Sequence, residues 1–170
     1  LTLQYVAIGR GVQNYTCSAV GAVPVQQGAK ATLFDATTLA KTNENLLHSI
    51  PAIVVYWPLP SDSTAQLYNL PVLGHHYFDS ASTPTFDLTA VNKIGFMQKT
   101  VGVAAPAGAN VGPDKTSAVP WLDLNNKPGY VSKSITQVYR VETAGGNPYA
   151  TCNSTDLMEI EYAAEYWFYN

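Results

Sequence analysis

Apolar and polar positions alternate most regularly at the end of the chain. There Met158, Ile160, Tyr162, Ala164, Tyr166 and Phe168 interleave with Glu159, Glu161, Ala163, Glu165, Trp167 and Tyr169. Successive side chains on a β-strand point to opposite faces, so this order predicts a long, central strand with one buried face and one wet face. Residues 2–8 and 12–17 are rich in β-formers and flank Gly9-Arg10-Gly11, a pattern that predicts a hairpin. Residues 30–34 predict a third strand. Leu39, Leu46, Leu47 and Ile50 then recur at helical spacing behind the capping candidates Asp35 and Thr37, and Pro51 is expected to end that helix. His48, in its last turn, suits the helix dipole or a surface contact.

Residues 53–57 read as a buried strand, and Ser61 or Asp62 as the cap of a short helix running to Tyr68. Further strands are predicted at 74–78, 84–88, 93–104, 119–124 and 133–142, the last two joined across the turn-forming run Asn125-Asn126-Lys127-Pro128-Gly129. Residues 105–117 form a loop, since too little chain follows for a second core. The sum is a mainly β, single-domain fold over residues 1–170: an antiparallel β-sandwich or barrel with one or two short helices and long loops.

Composition sharpens the compartment more than the fold. Only 12% of the 170 residues are charged, about half the usual share, while 46% are apolar and eleven are tyrosine, so the surface leans on neutral polar groups. The net charge of −3 comes without a basic cluster, which excludes the cationic footprint a nucleic-acid partner needs. No apolar run is long enough for a membrane-spanning helix. Leu1 follows no charged-then-apolar leader, as expected of a chain whose secretory signal has been removed. Cys17 and Cys152 lack CxxC spacing and a nearby ligand set, so they read as a disulfide. Two N-x-S/T sequons sit beside them: Asn153, in a turn-like run, is the better glycan acceptor, and Asn14 lies in a strand-like segment.

Unlike chemistry concentrates at residues 73–88, LGHHYFDSASTPTFDL. His75 and His76 are neighbours, so on a strand they face opposite ways and a site uses one of them. With Asp79 or Asp87 alongside, such a histidine serves as general base, or as a metal ligand if a third donor joins. The competing reading leaves one histidine exposed and the other hydrogen-bonded inside the fold. A serine hydrolase lacks its GxSxG, and Gly9-x-Gly11 fails as a dinucleotide fingerprint because Asn14 stands where the third glycine belongs. The Glu159/Glu161/Glu165 row reads as a solubility device on a wet face. Among the aromatics, Tyr77, Trp121, Trp167 and Tyr169, with Trp57 and Tyr130, are candidates to line a binding surface for sugar rings or other amphipathic ligands; otherwise they cover the second face of the sheet.

Several segments also look familiar: GVQNYTC (11–17), ATLFD (31–35), GHHYFD with PTFDL (74–88), VPWL (119–122), VYRVETAGG (138–146) followed by Cys152, and YAAEYWFY (162–169). In this order they resemble a family of uncharacterised secreted proteins, common in filamentous fungi and present in bacteria, grouped as a domain of unknown function. Many fungal members carry a malate dehydrogenase label, which the failed fingerprint does not support. The family pattern matches at Gln13, Tyr15, Cys17, Asp35, His76, Trp121, Arg140, Gly145, Gly146, Cys152 and Tyr166. It commonly has one histidine preceded by Arg or Lys, and Trp-Glu where this chain has Phe86-Asp87; the resemblance therefore favours His76 over His75, with Asp87 standing in for the acid.

The sequence thus leads to an extracellular or cell-wall-associated binding protein without a cofactor, with carbohydrate or a small amphipathic molecule as the expected ligand. The alternative is an extracellular hydrolase or metal-dependent enzyme using His76 with Asp87 or Asp79.

Overall fold

A computed structural model describes residues 1–61 and 67–170. Eight strands close into an antiparallel barrel in simple sequence order: β1 (Leu3–Thr16), β2 (Val25–Asp35), β3 (Val72–Phe78), β4 (Pro84–Leu88), β5 (Lys93–Val103), β6 (Trp121–Asn126), β7 (Gln137–Gly145) and β8 (Met158–Tyr169). Closure is made by β8 against β1, in register from Tyr15↔Met158 to Leu3↔Tyr169 with one irregularity. A closed barrel leaves no free sheet edge, which resolves the choice between sandwich and barrel and gives β8 two neighbours.

The predicted hairpin at Gly9–Gly11 is instead the middle of one 14-residue strand. Both glycines serve close approach and not a turn. A Cβ on Gly9 would lie 2.5 Å from the Tyr166 ring, and one on Gly11 only 1.9 Å from the Lys30 carbonyl oxygen. The helical region is divided into α1 (Thr37–Thr42) and α2 (Glu44–Val54), because Asn43 leaves helical geometry and its side chain accepts the Leu46 N–H at 3.1 Å. Pro51 lies inside α2, which runs on to Val54, so the strand expected at 53–57 is the end of a helix and the turn that follows it. The short helix expected at 61–68 falls mostly outside the described residues.

Two apolar layers hold this arrangement. The barrel interior is filled by Ala31, Leu33, Phe86, Leu88, Met97, Val138, Tyr162, Tyr166 and Phe168, among others. On the outside, Val6, Ile8, Phe34, Ala144 and Ala163 pack beneath Leu47, Ile50 and Val54 of α2. The outer face of β8 is therefore covered over part of its length: Glu165, expected to be wet, is fully buried. Cys17 and Cys152 are bonded, tying the β1–β2 connection to the β7–β8 connection across 135 residues of sequence. The chain-entropy account values such a loop at about 5 kcal/mol. No helix among the described residues is long and apolar enough to cross a membrane.

Candidate functional site

Strand parity sorts the residues of β1 to β4 onto two surfaces. On β3, His76 points into the barrel while His75 and Tyr77 point out and are exposed. Register then pairs His75 with Asp87 and His76 with Phe86. The acid that the resemblance assigns to His76 thus stands opposite its neighbour.

Outside, an open groove of about 730 Å3 runs over these strands. Its floor and walls include Val12, Leu59 and Pro60, and Lys30, His75, Tyr77 and Asp87 bring polar groups to it. Arg10 builds the wall. Its side chain is fully buried, Nη2 donates to the Trp57 carbonyl at 2.7 Å and to Glu161, and Nη1 donates to the Gly11 carbonyl at 3.1 Å. The segment leaving α2 is thereby held against β1 and β8. The sequence signal for Arg10 was weak, because an arginine between two glycines reads as a turn. Burial pushes the Tyr77 phenol up, helped by the Asp87 and Asp79 carboxylates. Asp87 is itself oriented by the Thr89 N–H, at 3.0 Å.

Inside, His76 is packed flat against Phe86, ring centroids 4.2 Å apart, and its Nδ1 donates to the Thr85 carbonyl at 2.9 Å. Burial, only partly opposed by that hydrogen bond and reinforced by the Arg140 charge, pulls the imidazole down to about 4. Among the described residues no carboxylate lies within ion-pair distance of it. Asp79, in the turn between β3 and β4, accepts the N–H groups of Thr83 (2.8 Å) and Ala81 (2.9 Å), and the Thr83 bond leads in holding its carboxyl low. It shapes the turn.

The four aromatics proposed as a binding surface do not converge. Tyr77 lines the groove. Trp167 packs under the α2 layer and donates to Glu165 at 3.0 Å. Tyr169 meets Tyr139 edge to face, centroids 5.8 Å apart. Trp121 lines a separate cavity of about 220 Å3 with His48, Asn110 and Glu142.

That cavity adjoins a pair the pattern did not reveal. His48 Nδ1 donates to Glu165 at 2.8 Å. Burial raises the Glu165 carboxyl, against the hydrogen bonds from His48 and Trp167. His48 is drawn down by burial, but the Glu165 hydrogen bond and the charges of Glu165, Glu142 and Glu44 outweigh this and leave it raised. The available signal was Ala163 and Trp167 on the same face of β8, too apolar for a wet surface. Of the sequons, Asn153 is exposed in a loop, whereas Asn14 is half-buried within β1. Among the described residues no cluster of three or more His, Cys, Asp or Glu side chains is placed to hold a metal ion.

The family described as "Protein of unknown function (DUF3455)" matches residues 1–170. The chain belongs to the DUF3455 family. No curated protein and no solved structure matches it. In this DUF3455 chain, Gln13, His76, Arg140 and Tyr166, four of the positions carrying the resemblance, line one small cavity at the disulfide end of the barrel, and of these four His76 alone also borders the outer groove.

Proposed function

We propose that this protein is a secreted binding module whose outer groove takes a small amphipathic ligand, with carbohydrate the class that suits it best. The carrying observation is the groove itself: about 730 Å3, within the range of small-molecule sites, with apolar walls and convergent polar groups. Tyr77 offers a flat face with a polar edge for a sugar ring. Asp87 accepts from hydroxyls, Lys30 donates to them, and His75 does either. The disulfide supports an oxidising, extracellular setting, and exposed Asn153 suits a glycan.

The test is a glycan array followed by titration calorimetry with soluble cello-, chito- and malto-oligosaccharides. Binding that falls at least tenfold in Tyr77→Ala supports the reading; silence on the array and in calorimetry with all three series overturns the carbohydrate assignment. A second reading, hydrolysis, is favoured only by the outward register of His75 with Asp87. In it His75 acts as general base, and release of new reducing ends from the same oligosaccharides, lost in His75→Ala, separates it from binding alone.

A further inference from the structure

The disulfide end of the barrel holds a different kind of chemistry. Gln13 on β1 is fully buried, and neither its amide nitrogen nor its amide oxygen has a partner among the described residues. An unpaired buried polar group costs about 1–3 kcal/mol, so native interiors pair such groups with protein, water or a bound species. Gln13 borders a cavity of about 40 Å3 together with Arg140, His76, Phe86 and Tyr166. That is room for one water-sized atom or ion.

Charge decides between them. The Arg140 side chain is 7% exposed, and its Nε and Nη2 both donate to the Pro120 carbonyl, at 3.3 and 2.8 Å. Among the described residues it forms no ion pair. The remaining polar neighbours are neutral. Tyr162 and Tyr166 share a hydroxyl–hydroxyl contact of 2.8 Å, and burial keeps both phenols protonated. His76 is uncharged at neutral pH. Water would satisfy the Gln13 amide but leave the guanidinium without a counter-charge, and a buried uncompensated charge is the costlier fault. The Arg140 guanidinium, which also hydrogen-bonds the Tyr166 side chain, and the Gln13 amide both line this small cavity, and each can donate to an anion.

We propose that this cavity is a binding site for one halide-sized anion, held between the Arg140 guanidinium and the Gln13 amide. Occupation closes the disulfide end of the barrel with a buried ion pair. The site lies inside the barrel and the outer groove on the other face of the same strands, with His76 bordering both.

The probe is sodium bromide. Crystals of the whole chain grown in bromide are expected to give an anomalous peak within hydrogen-bond reach of Arg140 and Gln13. Thermal unfolding is expected to show a saturable rise of about 5 °C or more as bromide passes from below to a hundred times its Kd. Sodium sulfate at equal ionic strength should give only the unsaturable salt effect. Gln13→Glu supplies a carboxylate in place of the ion and should abolish both the peak and the bromide-specific rise. Absence of the peak at saturating bromide, or a bromide response that fails to saturate, overturns the site; should Gln13→Glu fail to fold, the peak in the unmodified protein alone decides.

Discussion

His75 and His76 are adjacent in sequence yet belong to different regions of the molecule. His75 stands on the groove beside Tyr77 and opposite Asp87, in contact with water; His76 lies within the barrel, stacked on Phe86 and bonded to backbone. The same strands β1 to β4 carry both surfaces. Strand parity, more than residue chemistry, decides which groups are free to meet a ligand. A histidine whose one nitrogen is bonded to a carbonyl inside an aromatic stack supports the fold, whereas its neighbour keeps its chemistry available.

The largest expected contrast is in stability. Phe86→Ala empties space beside His76 in the core and should cost about 3–5 kcal/mol, while Tyr77→Ala on the groove should cost under about 1 kcal/mol. Denaturant unfolding of both variants checks this, and similar losses would erase the distinction between the two faces.

Next is pH. A histidine whose folded pKa lies below its unfolded value of 6.5 binds fewer protons when folded, so stability falls as pH drops. For His76 the window runs from about 6.5 down to about 4, and the loss across it is about 3 kcal/mol. His76→Asn should flatten that acid limb, as read from denaturation midpoints at pH 4, 5 and 6.5.

A smaller effect concerns the wall of the groove. Arg10→Gln leaves Glu161 unpaired, but that carboxylate is about one-third exposed and water can solvate it. The expected cost is therefore about 1–3 kcal/mol, mostly lost hydrogen bonds to the Trp57 and Gly11 carbonyls. Ligand affinity should fall with it, since the segment bearing Leu59 and Pro60 loses its tie. Smallest of all, Asp87→Asn should change stability by less than about 0.5 kcal/mol, yet weaken ligand binding roughly tenfold, or about 1.4 kcal/mol.

The fold was legible where period-two order was strong. β8 follows directly from it, and the strands predicted at 74–78, 84–88 and 93–104 stand at Val72–Phe78, Pro84–Leu88 and Lys93–Val103. Long-range packing overrode local signals elsewhere. Glycines at 9 and 11 look like a turn in isolation, but the Tyr166 ring and the β2 backbone approach them from other parts of the chain. Glu165 looks solvated until α2 is laid over it. Alternation showed that only one of the two histidines could face a site, but not which face was the interior. That depends on the register with β4, which local order cannot express.

Histidine-resolved NMR during titration with the tightest-binding oligosaccharide tests the central claim most directly. The groove account predicts that the His75 ring signals shift saturably, with the same midpoint as calorimetry, while those of His76 stay in place. Movement of His76 without His75, or binding that leaves both unchanged, would contradict it.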